Sequence, residues 1–80
     1  MRIRMIGCSH HSTPVEVREK FSFTEEQIEA ALNSLRDQFS DCESVLLSTC
    51  NRVELYVGTS ADGELPSSQR LMEFISDFHR

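Results

Sequence analysis

The sequence predicts an α+β domain of the split βαβ, ferredoxin-like kind, an antiparallel sheet with helices on one face and the last strand missing. Runs with the period of a strand alternate with runs of helical period. Two strand-like runs are separated by only four residues, Thr49 to Arg52, too few for a crossover helix, so they are expected to be antiparallel neighbours. Capping residues mark the helix starts.

Arg2 to Ser9 reads as the first strand, with Ile3 and Met5 alternating against Arg2 and Arg4 before Ile6 and Gly7. His10, His11 and Ser12 form a connection, and Thr13-Pro14-Val15-Glu16 opens a short helix to about Lys20, with Thr13 as cap and Pro14 at the first helical position. A second capping box, Thr24 to Gln27, opens a longer helix, with Phe23 and Ile28 placed as a hydrophobic staple. Its apolar stripe is Ile28, Ala31, Leu32, Leu35 and Phe39, which reads as core. Ser44 to Ser48 is a buried strand, and Val53 to Thr59 alternates Val53, Leu55 and Val57 against Glu54, Tyr56 and Gly58. Asn51, in the bend between them, tolerates a left-handed backbone. Residues 58–66 are loop, and Ser67 or Ser68 caps a last helix carrying Leu71, Phe74, Ile75 and Phe78. Because an open sheet edge is something proteins usually avoid, the absent fourth strand predicts that residues 1–80 are the N-terminal part of a single domain of a longer protein.

Composition narrows the function. A chain of 80 residues buries roughly 60% of the surface its unfolded state exposes, so the core is modest. Its net charge of −5 argues against a broad phosphate-binding surface. Three cysteines without a Cys-x-x-Cys pair match neither a disulfide scaffold nor a zinc ribbon, and no segment has signal-peptide or membrane-spanning character. A cytoplasmic protein with no membrane contact is expected.

The chemistry concentrates at Ser48-Thr49-Cys50-Asn51-Arg52. A nucleophilic thiol needs exposure and a neighbour that favours the thiolate, and Arg52 offers that charge together with an anchor for an anionic substrate group. On these grounds alone a structural thiol and a nucleophile both stay open for Cys50. Arg52 can pair with Glu54 on the same strand face or bind a substrate carboxylate through its planar fork. Tyr56, on that face too, either extends the polar wall or packs in the sheet, and packing is favoured. His10 and His11 follow a strand end and read either as exposed loop residues or as groups that orient a substrate near Cys50. Cys8, His10, His11 and Cys50 have the donor types of a zinc site, but no second ligand pair at finger-like spacing accompanies them, and no metal is expected.

Gly7-Cys8-Ser9-His10-His11-Ser12-Thr13-Pro14-Val15, then Arg18-Glu19, then Leu47-Ser48-Thr49-Cys50-Asn51-Arg52-Val53-Glu54-Leu55-Tyr56 resemble, in order and spacing, the N-terminal catalytic domain of glutamyl-tRNA reductase. The resemblance implies an enzyme that uses NADPH to reduce glutamyl-tRNA to glutamate-1-semialdehyde through a cysteine thioester, opening the five-carbon route to tetrapyrroles such as haem. Cys50 matches the family nucleophile, and Thr49, Asn51 and Arg52 match the substrate-binding positions. Ser48, His10, His11 and Glu54 fall in supporting positions. The resemblance also places the NADPH-binding domain and the domain that makes the parent protein a homodimer outside this chain, with tRNA contacts spread over those later parts. Relatives carry an Asn-His-Lys-like stretch where this chain has Cys8-Ser9-His10-His11. Two other readings stand beside this one, a small thiol- or zinc-binding module and a non-catalytic ferredoxin-like interaction domain pairing through its open sheet edge.

Overall fold

The computed structural model describes residues 1–9, 22–49, 51–60 and 62–79. The expected short helix over residues 13–20 lies outside these. Five elements follow in chain order: strand β1 (Arg2–Ser9), helix α1 (Glu25–Gln38), strands β2 (Cys42–Ser48) and β3 (Arg52–Thr59), and helix α2 (Ser68–Phe78). The strands form an antiparallel sheet in the order β1-β3-β2, the arrangement of an incomplete α+β ferredoxin-like domain. β2 begins two residues earlier than the sequence predicts, at Cys42, and β3 one residue earlier, at Arg52.

Both helices start where their caps dictate. The Thr24 hydroxyl accepts the Gln27 amide at 3.2 Å while the Gln27 side chain accepts the Thr24 amide at 2.8 Å, so two amides that lack helical partners are satisfied reciprocally. Ser67, of the two candidates, caps α2 by accepting the Arg70 amide at 3.2 Å.

The core lies between the helices and one sheet face. Ala31 and Leu35 of α1 and Leu71, Phe74 and Ile75 of α2 pack over Leu46, Val53, Leu55 and Val57. Phe23 joins them from just before α1, its ring 5.4 Å from that of Phe78. The Ser48 hydroxyl accepts the Phe23 amide at 2.9 Å, fixing the chain's entry into α1 to the end of β2.

Register decides which side of β1 faces inward. Arg4 pairs with Val57, which is fully buried, and directly paired residues share a face. Arg2, Arg4 and Ile6 therefore take the helix side. There an Arg2 guanidinium nitrogen donates to the Gly63 carbonyl and Arg4 Nη1 lies 3.4 Å from Ser68 Oγ. Ile3 and Met5 point outward, 64% and 45% exposed, together with Val45 and Leu47 of β2. Among the described residues nothing covers this outer face.

Candidate functional site

The bend between β2 and β3 positions the candidate residues. Ser48 pairs with Val53, and beyond that pair the Thr49 amide donates to the Arg52 carbonyl at 2.8 Å, closing the bend. Thr49 organises it further, because its hydroxyl oxygen accepts the amides of Asn51 and Arg52, each at 3.2 Å. No described residue, Asn51 included, has a positive φ. The left-handed backbone that Asn51 would tolerate is thus not used, and the Thr49 hydroxyl satisfies the bend amides instead.

β3 carries the site outward from this bend. Its inward residues Val53, Leu55, Val57 and Thr59 are buried, which sends Arg52, Glu54 and Tyr56 to the outer face. Tyr56 Oη donates to Glu54 Oε1 at 3.1 Å. That bond raises the Tyr56 ionisation above its ordinary value of 10.0; partial loss of hydration and the Glu54 charge act in the same direction, while the Arg52 charge opposes them. The hydroxyl therefore keeps its proton, and its role as donor, through neutral pH.

Cross-strand neighbours shape the ground beside these groups. Glu54 lies between Gly7 on β1 and Leu47 on β2, and Tyr56 lies between Met5 and Val45. A Cβ on Gly7 would sit 2.5 Å from the Val53 carbonyl oxygen and 3.2 Å from Glu54 Cγ. Gly7 is therefore required for space, letting β1 pass close under the Glu54 side chain.

Of the residues singled out from sequence, Thr49, Asn51, Arg52 and Glu54 gather at one end of the sheet. Ser48 turns to the other face, where its hydroxyl serves the start of α1. Cys50, His10, His11 and the side chain of Cys8 lie outside the described residues. Tyr56, for which the sequence favours packing over a place in the polar wall, donates to Glu54 on the outer face. Gly7 carries no local signal, since only the β1–β3 register sets it opposite Glu54.

The described residues do not fit a dinucleotide. Gly63 is the one glycine in the loop from β3 to α2, and the Ser67 hydroxyl already takes the Arg70 amide at that helix start, so no glycine-rich phosphate cradle is formed. Among the described residues no group of three His, Cys, Asp or Glu side chains is placed to hold a metal ion, and no helix is long and apolar enough to cross a membrane.

An antiparallel ferredoxin-like sheet backed by two helices, with a tight hairpin delivering an arginine, a carboxylate and a phenol to its open face, defines the class of domain. The chain belongs to the glutamyl-tRNA reductase N-terminal domain family, whose model, "Glutamyl-tRNAGlu reductase, N-terminal domain", matches residues 6–80. It is 48% identical over 77 residues to a glutamyl-tRNA reductase of Rhodopirellula baltica, covering 96% of this chain and 18% of the relative. It is 40% identical over 77 residues to that of Synechococcus elongatus, with 96% and 17% covered. The Exiguobacterium protein of the same name is 51% identical over 59 residues, with 74% and 13% covered. The chain thus spans less than a fifth of the length of these curated relatives.

Proposed function

We propose that this chain supplies the acyl-transfer site of a glutamyl-tRNA reductase, an NADPH-dependent enzyme of tetrapyrrole biosynthesis acting in the cytoplasm. The observation that carries the reading is the β2–β3 hairpin, which closes with the Thr49 amide on the Arg52 carbonyl and sends Arg52 to the open face of the sheet. Family membership supports it independently.

In this reading the Cys50 thiolate attacks the ester carbonyl that joins glutamate to its tRNA. A carbon–sulfur bond forms, the carbon–oxygen bond to the terminal ribose breaks, and the ribose oxygen leaves with a proton, giving a glutamyl thioester and free tRNA. Arg52 anchors the glutamate carboxylate through its two-pronged guanidinium. Thr49 serves the site by holding the bend amides, and Asn51 presents its side chain from the loop. His10 and His11 are assigned supporting roles at the end of β1. The reduction belongs to parts of the protein outside this chain. NADPH is its proposed reductant, and homodimerisation belongs to those parts too.

The test uses the full-length protein carrying this domain. Mixed with glutamyl-tRNA radiolabelled in the amino acid and without NADPH, it should retain acid-stable label that hydroxylamine releases. Cys50→Ser should abolish the label, while Cys42→Ser should leave it. Label surviving in Cys50→Ser would sink the assignment.

A further inference from the structure

On β3 the residues Arg52, Glu54 and Tyr56 follow one another on one face, successive members about 6.6–7 Å apart along the strand. At that spacing the long side chains of Arg52 and Glu54 can meet, and a guanidinium closed on its neighbouring carboxylate is no longer available to an anionic ligand. In the structure Glu54 is engaged from the other side. Tyr56 Oη donates to its Oε1 at 3.1 Å. The parts that hold this arrangement are built into the sheet. The Tyr56 ring stands between Met5 and Val45, and Gly7 leaves the Glu54 side chain room to lie across β1.

We infer that Tyr56 is a positioning residue for substrate binding: by holding the Glu54 carboxylate, its hydroxyl keeps Arg52 from being neutralised within its own strand and leaves the guanidinium to the anionic group of the substrate. This rests on the function proposed above. It makes Glu54 a competitor that must be restrained, and Tyr56 the restraint.

Steady-state kinetics of the full-length protein with glutamyl-tRNA separate the possibilities. Tyr56→Phe keeps the ring and removes only the hydroxyl. It should raise KM about threefold to tenfold, the size of one lost hydrogen bond, with kcat changed less than about twofold. In a Glu54→Gln background, where no carboxylate competes for Arg52, Tyr56→Phe should have no further effect on KM. A residue that merely packs would tolerate Phe, so its KM would not move. An unchanged KM in Tyr56→Phe, or a rise that persists undiminished in the Glu54→Gln background, overturns the inference alone. A parental protein inert toward glutamyl-tRNA overturns the proposed function and the inference together.

Discussion

A methyl group at Gly7 would lie 2.5 Å from the Val53 carbonyl oxygen, and that oxygen belongs to the central strand, which cannot yield without disturbing two ladders. Gly7→Ala is therefore expected to destabilise the fold by about 1–3 kcal/mol, the usual cost of overfilling a packed site. Urea denaturation would measure it, and a variant as stable as the parent would show that β1 can move away from β3. Gly58 makes the contrast. A Cβ there meets nothing nearer than 3.7 Å, so Gly58→Ala should be far milder. The two glycines look alike in sequence, and only their cross-strand partners, Glu54 for Gly7 and Ile3 for Gly58, tell them apart.

At the scale of elements, the hairpin joining β2 to β3 is the feature that gives the site its geometry. Tight hairpins commonly draw on a left-handed residue, and Asn51 is not one. Here the loop is held by a side chain, with the Thr49 oxygen accepting two amides. Thr49→Val, similar in shape but without the acceptor, should cost about 0.5–1.5 kcal/mol and quicken amide hydrogen exchange at Asn51 and Arg52. If exchange at those two amides did not change, the hydroxyl would not be what orders the bend. The helices are specified more simply. Thr24, Gln27 and Ser67 act through neighbours three residues away, so their caps could be read directly from the chain.

Among the described residues, one face of the sheet is sealed by the helices and the other is open. Leu46 and Val45 are neighbours on β2, yet Leu46 is 9% exposed beneath the helices and Val45 63% exposed on the outer face. Leu46→Ala should cost about 2–5 kcal/mol, a large share of the stability available to a domain of this size. Val45→Ala should cost under about 1 kcal/mol. Thermal denaturation of the pair would check this, and equal losses would mean that the outer face is covered. Ile3, Met5, Leu47 and Tyr56 complete that open face, so the candidate site stands at the edge of an apolar surface, with Arg52 and Glu54 as its charged end.

What the sequence determined by itself was whatever depends on near neighbours along the chain. The periods of two and 3.6, the capping residues and the four-residue gap between two strands sufficed for the order of the five described elements and the antiparallel β2–β3 pair. The string from Ser48 to Tyr56 sufficed for the family. What only the tertiary structure decided depends on pairing between distant segments. The register of β1 on β3 decided the faces of that strand, turning Ile3 and Met5 outward and Arg4 inward because Arg4 lies opposite buried Val57. The same register set Gly7 against Glu54, and the β2–β3 fold sent Ser48 to the helix face while Arg52, Glu54 and Tyr56 took the other. A strand's period fixes which residues share a face, but not which face becomes the core. That choice is made when the helices cover one side of the sheet.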